Sequence, residues 1–246
     1  MALPAGAVEF RDTAFHFGEH AVLSGINLRV ESGETLVLLG RSGSGKTTAL
    51  KMINGMLYPS SGEVLIEGRA STAWDPIALK RRTGYVIQEG GLFPHFTVAA
   101  NIGLVPKLEG WDQARIDRRV DELLEAVSLA PSEFRGRYPR ELSGGQRQRV
   151  GVARALAANP SLLLFDEPFG ALDPVTRFDL QQQFLDLRRD LNMTSVVVTH
   201  DVREALRLGS RIVLLADGRI EASAAPEDFI RSDSTEAQLF LREYAA

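Results

Sequence analysis

Three short stretches of unbroken apolar character punctuate the chain: TLVLLG (Thr35 to Gly40), LLLF (Leu162 to Phe165) and SVVVTH (Ser195 to His200). Their length and branching fit strands buried on both faces. A helical pattern follows each of them, which predicts strand-helix units around a mainly parallel sheet. Alternating stretches near Val8 to Val30 and Glu63 to Glu67 predict antiparallel strands flanking that sheet. The helix after the first strand is expected to stop at Asn54-Gly55, a left-handed stop, and Asp75-Pro76 to cap a second helix with proline at its first position. From Gln113 onward Ile116, Val120, Leu123, Leu124 and Val127 recur at helical spacing, with Arg115, Arg118, Glu122 and Glu125 on a solvated opposite side. The chain from about Gly90 to Asn159 is mainly helical. The expected organisation is therefore a single α/β domain, with a core from 1–89 and 160–246 and a helical part at 90–159 inserted into it. The tail from Pro226 to Ala246 reads as one or two closing helices.

Composition narrows the classes. The 246 residues, 44% hydrophobic and 24% charged, are ordinary globular material with enough for a sizeable core. A net charge of -4 and a pI near 5.7 give no electrostatic reason to bind nucleic acid. The absence of cysteine excludes disulfides and thiolate metal sites. The longest apolar runs fall far short of the roughly 20 residues that span a bilayer. The start, MALPAGAVEF, has neither a basic leader nor an apolar signal core, so work at a membrane would need another chain to hold this one there.

The strongest chemical signal is GRSGSGKT, Gly40 to Thr47, which satisfies G-x-x-x-x-G-K-[ST] between a predicted strand and a predicted helix. Such a loop curls so that backbone N-H groups face phosphates, and the following helix adds its positive end. Gly40, Ser42, Gly43, Ser44, Gly45 and Thr48 are the candidate phosphate-binding positions around Lys46, which would reach the terminal phosphates, and Thr47, which would ligate Mg2+. LLLFDEP places Asp166 and Glu167 where a buried strand ends. Asp166 suits the metal shell, and Glu167 is placed to orient or deprotonate a water. His200 ends another apolar strand, either as a structural cap or near the terminal phosphate.

A second glycine-containing turn, LSGGQ (Leu142 to Gln146), leads into QRQRVGVARALAANP, where Val150, Ala153, Leu156 and Ala157 share a helical face ended by Asn159-Pro160. Ser143, Gly144, Gly145 and Gln146 thus head a helix and form a second candidate anion site. In this order and spacing, GRSGSGKT, LSGGQ, LLLFDEP, GALD and VVVTH make the chain resemble the ATP-binding subunit of an ABC transporter over essentially its whole length. The resemblance implies a RecA-like P-loop NTPase core, an antiparallel β subdomain and an inserted helical subdomain, binding ATP and Mg2+. It also implies two cassettes packed head to tail, with Ser143 to Gln146 of one closing over the nucleotide held by Lys46 of the other. By the same resemblance Gln88 senses the γ-phosphate and joins Thr47 and Asp166 around the metal, Asp173 communicates across the dimer, and His200 is the switch histidine. Phe17 falls where the family stacks an aromatic on adenine, although on the residues alone a core role is open. Gly170 stands where the family commonly has serine.

GYVIQEGGLFPHFTVAANIGLVPKLEGW (Gly84 to Trp111), with KMING and FGALDPVTR, is similar to ATPases of importers for osmoprotectants such as glycine betaine, carnitine or choline. The segment after Gln88, Leu92 to Phe96, is where the family meets its permease; the competing reading makes Phe93 and Phe96 core. The resemblance further implies integral-membrane permease subunits, a second ATPase subunit (a homodimer being simplest), an extracytoplasmic substrate-binding protein, and a peripheral place on the cytoplasmic face of the cell membrane. Larger members of the subgroup carry C-terminal regulatory domains, which a chain stopping at Ala246 is expected to lack. An ABC ATPase acting on DNA or ribosomes, a P-loop kinase or GTPase, and an exporter's cassette are the rival classes. The first usually carries a long coiled-coil insertion or a duplicated cassette, and the second has no use for LSGGQ.

Overall fold

The computed structural model of the chain describes residues 7–87, 91–170, 172–191 and 193–245. In chain order the strands are β1 (Val8–Phe17), β2 (His20–Val30), β3 (Thr35–Leu39), β4 (Ser61–Ile66), β5 (Arg69–Ala70), β6 (Thr83–Val86), β7 (Leu162–Asp166), β8 (Thr194–Thr199), β9 (Arg211–Ala216) and β10 (Arg219–Ala224). The helices are α1 (Lys46–Ile53), α2 (Pro76–Arg82), α3 (Val98–Leu108), α4 (Gln113–Ala126), α5 (Pro131–Phe134), α6 (Gly144–Leu156), α7 (Pro174–Leu191), α8 (Val202–Leu208), α9 (Pro226–Phe229) and α10 (Thr235–Ala245).

The chain divides into two compact units, Met1–Lys80 with Met193–Ala246, and Arg81–Asn192. The second unit takes in β6, β7 and α7 together with the helices of the expected 90–159 segment. β6 runs parallel to β7 from Thr83 opposite Leu162 to Val86 opposite Phe165, and α6 packs on β6.

In the first unit β3 lies between parallel neighbours β8 and β9, and β10 closes antiparallel on β9. β3 and β8 are buried at every position, their residues being apolar apart from the small hydroxyls of Thr35, Thr194, Ser195 and Thr199. Each fully buried Leu or Val there contributes about 1.5–3 kcal/mol relative to exposure. Two polar contacts fix the register. Thr35 and Ser195 hydroxyls hydrogen-bond at 2.7 Å, and the Gly33 N-H donates to Thr194 Oγ1 at 2.9 Å. The same unit holds the antiparallel sheet β2-β1-β4-β5, whose alternating sequence matched that arrangement. α1 stops at Asn54, followed by Gly55 at φ 66°, and Asp75 Oδ1 caps α2 by accepting from Ile77 and Ala78 N-H groups at 3.1 and 2.7 Å.

In the second unit α4 buries Ile116, Val120, Leu123 and Leu124 and exposes Arg115, Arg118, Glu122 and Glu125. Its Asp112 cap accepts from Arg115 N-H at 2.8 Å. Arg119 departs from the solvated pattern. Its guanidinium donates to Leu156 O at 3.1 Å and Asn159 Oδ1 at 2.6 Å, supplying donors at the C-terminal end of α6. Among the described residues no helix is long and apolar enough to cross a membrane.

Candidate functional site

The phosphate-loop segment sits between β3 and α1 in the first unit. Register pairs Leu39 with Thr199, so the loop and His200 leave neighbouring parallel strand ends at the same edge. This edge, at the carboxyl ends of parallel strands, is where open α/β sheets bind ligands. Gly45 has φ 98°, and a Cβ there would lie 2.5 Å from Leu23 Cδ2, so the loop closes onto β2 only with glycine at that position. Lys46 is buried, with Nζ donating to Gly40 O at 2.8 Å and Arg41 O at 2.7 Å. The ammonium is thereby held under the curl of the loop.

Two further observations test whether this loop fits a phosphate. No side chain caps the N-terminus of α1, whereas Thr97, Asp112, Ser143 and Asp201 cap α3, α4, α6 and α8. The Ser44 hydroxyl is buried without a hydrogen-bond partner. Uncapped helical N-H groups, an orphan hydroxyl and a buried lysine suit an anion. Beside the loop lies a cavity of about 850 Å³, lined by Arg41 to Ser44 and by residues of β9, β10 and α10; within it Arg41 pairs with Glu236 at 2.9 Å. Thr47 and Thr48 follow in the first turn of α1, half-buried.

Phe17 is 77% exposed at the tip of the β1-β2 hairpin, opposite His20. The core alternative for this ring is thereby excluded. Phe93 and Phe96, 48% and 39% exposed, are likewise not core; their centroids stand 5.4 Å apart.

The second unit carries the remaining positions. Asp166 ends β7, and the Tyr85 hydroxyl, from neighbouring β6, donates to its Oδ2 at 3.1 Å. Burial pushes the Tyr85 phenol up, and the Asp166 carboxylate adds to the rise. Glu167 follows at φ 48°, a left-handed conformation that costs a non-glycine residue about 1–3 kcal/mol. Ser143 heads α6 in a capping box: its Oγ accepts from Gln146 N-H at 3.2 Å, while Gln146 Oε1 accepts from Ser143 N-H at 2.9 Å. The pattern S-x-x-Q could have announced this box. One helical N-H of the expected anion site is therefore already engaged, but the Ser143 hydroxyl proton remains a donor.

Asp173 caps α7, its Oδ1 accepting from Thr176 N-H at 3.0 Å. The Thr176 side chain and N-H hold its carboxyl below the usual carboxylate range. The LSGGQ turn and this cap meet, because a Cβ on Gly145 would stand 2.4 Å from Thr176 Cγ2. Tyr85 and Thr176 are the participants sequence reasoning missed. Gln88 and Ala171 of GALD lie outside the described residues. Among the described residues no cluster of three or more His, Asp or Glu side chains could hold a metal unaided. The Thr47 hydroxyl and Asp166 carboxylate are hard oxygen donors of the kind Mg2+ prefers.

A family model described as ABC transporter matches residues 23–170. The chain is 51% identical over 211 residues to the osmoprotectant import ATP-binding protein OsmV of Salmonella typhimurium, covering 86% of this chain and 55% of that protein. It is 47% identical over 243 residues to the glycine betaine uptake system ATP-binding protein YehX of Escherichia coli, covering 96% of this chain and 79% of that one. It spans about half the length of the first of these, 55%. Among solved structures, a dimeric ATP-binding cassette in a post-hydrolysis state with ADP and Pi superposes with a TM-score of 0.79 at 34% identity, covering 89% of this chain and 98% of the other. The expected P-loop NTPase fold is thus the fold of known ABC ATPase cassettes.

Proposed function

Since this chain belongs to the ABC transporter family, we propose that it is the ATP-hydrolysing subunit of an importer for osmoprotectants or related quaternary amines, working as a head-to-tail dimer. The observation that carries the ATPase reading is the phosphate loop: a buried Lys46 beneath an uncapped helix N-terminus with an orphan Ser44 hydroxyl. Osmoprotectant cargo is supported by the likeness to OsmV, an osmoprotectant import ATP-binding protein, and to YehX, a glycine betaine uptake system ATP-binding protein.

In this reading Lys46 and the loop N-H groups, with Gly40, Ser42, Gly43, Ser44, Gly45 and Thr48, hold the triphosphate, and Phe17 offers its exposed ring to the base. Thr47, Asp166 and Gln88 hold Mg2+, which neutralises charge on the phosphates. Glu167, in its left-handed turn, orients the attacking water or takes its proton, and His200 and Gln88 attend the terminal phosphate. Ser143, Gly144, Gly145 and Gln146 face the nucleotide bound by the partner cassette, and Asp173 answers across the same interface. ATP closes the pair, hydrolysis weakens it, and the exposed segment around Phe93 and Phe96 passes the motion to membrane-embedded permease subunits fed by a binding protein. The cassette would sit peripherally on the cytoplasmic face of the membrane.

The test is purification of tagged Glu167→Gln protein from native membranes in mild detergent with Mg-ATP. Recovery of a polytopic permease, and uptake of labelled glycine betaine through that permease when paired with the parent cassette, is the expected result. Recovery of ribosomes or DNA would overturn the transporter reading and leave the ATPase chemistry standing.

A further inference from the structure

Within the second unit the aromatic segment meets the helix that starts at the LSGGQ turn through α3, which packs on it, and directly through one arginine. α6 begins at the LSGGQ turn, and its 13 residues make a rod of about 20 Å at 1.5 Å per residue. Arg154, in its last turn, donates from Nη1 to the Gly91 carbonyl at 2.8 Å, and its guanidinium lies 5.9 Å from the centroid of Phe93. That is within cation-π range. Gly91 presents this carbonyl from φ 51°, where a Cβ would lie 2.2 Å from Ile87 Cδ1, so the anchor point itself depends on glycine. The rest of the segment is tied to α3. Buried Asn101 accepts from Phe93 N-H at 2.8 Å and donates to the carbonyls of Phe93, Phe96 and Thr97 at 3.2, 3.1 and 3.0 Å. Asn101 therefore ties the segment to α3, which itself packs on α6, while Arg154 adds a direct tie from the segment to the rod.

We propose that Arg154 is a positioning residue that couples the aromatic segment Gly91 to Phe96 to the LSGGQ turn at the other end of α6. It rests on the reading above, in which the segment takes the permease and the turn takes the partner's nucleotide. Burial lowers the guanidinium's hold on its proton below that of an ordinary arginine, so this charge is partly withdrawn from water at the contact. An exposed arginine serving only solubility would not be placed so. A planar fork can hold a carbonyl and lie near a ring at once, which the ammonium of lysine does less well.

The experiment uses hydrogen-deuterium exchange on the full chain in the Glu167→Gln background, with sizing in parallel. In the parent, ATP-driven dimerisation engages the LSGGQ turn and slows exchange at the amides of 92–97. In Arg154→Met the dimer still forms, but the ATP-dependent change at 92–97 falls about tenfold, the size expected for losing one charge-assisted hydrogen bond. Arg154→Lys, which keeps the charge, restores part of it; a role in folding alone would not grade the response this way. Circular dichroism of both variants shows whether each has folded. An unchanged response in Arg154→Met, or a dimer whose segment ignores ATP in the parent, would overturn the coupling. Failure of the parent to dimerise would appear on the sizing column and would bring down the proposed function, and this coupling with it.

Discussion

Ser143 separates two jobs that ordinary mutagenesis confuses, because its hydroxyl both caps α6 and, in the proposed function, donates to the partner's phosphate. The cap is visible as the 3.2 Å bond from Gln146 N-H to Ser143 Oγ. Ser143→Ala loses it at about 1 kcal/mol, which for a chain of this size lowers Tm by about 2–4 °C. The same change removes a donor to a charged acceptor worth about 1.5–3 kcal/mol, so ATP turnover should fall about tenfold to a hundredfold. Ser143→Asp pulls the two apart. Aspartate caps as well as serine, and its charge gains about 0.3–1 kcal/mol from the helix dipole at low salt. This variant should melt at or above the parent temperature and yet lose ATP-driven dimerisation, since a carboxylate now meets phosphate oxygens. The assay is a thermal melt beside light scattering on a sizing column in the Glu167→Gln background. An Asp variant that dimerises at the parent's ATP concentration would refute the phosphate role, and one that melts as low as the Ala variant would refute the cap.

Gly145→Ala drives a methyl to 2.4 Å from Thr176 Cγ2 and should destabilise by about 1–3 kcal/mol, with Thr176→Ser, which lacks that methyl, recovering most of the loss in a denaturant titration. Tyr85 has its phenol pKa raised in the folded state, so its contribution to stability is complete below pH 10 and is lost as pH rises above it. Urea midpoints measured across that window should fall in the parent and flatten in Tyr85→Phe; equal slopes would refute the assignment.

What was legible in the chain was local. Thr35 to Leu39 and Thr194 to Thr199 declare themselves as buried strands because every position is apolar or a small hydroxyl, and Asp75 and Asn54-Gly55 carry their capping chemistry in adjacent residues. The phosphate-loop motif and LSGGQ were readable for the same reason. What was not readable depends on which strands become neighbours: Tyr85 reaches Asp166 only because β6 lies beside β7. Arg119 and Arg154 look like solvated charges in a helical pattern, yet each crosses to a carbonyl outside its own helix, 37 and 63 residues away in sequence. Phe17 carried two readings until its exposure removed one.

The central claim is that Glu167 activates water while ATP itself closes two cassettes. Mixing Glu167→Gln protein with Mg-ATP and following both released phosphate and sedimentation tests it directly. The account predicts a stable ATP-bound dimer with turnover reduced at least about a hundredfold, the lower end of what a positioned base supplies. Near-normal phosphate release, or a monomer at saturating ATP, would contradict it.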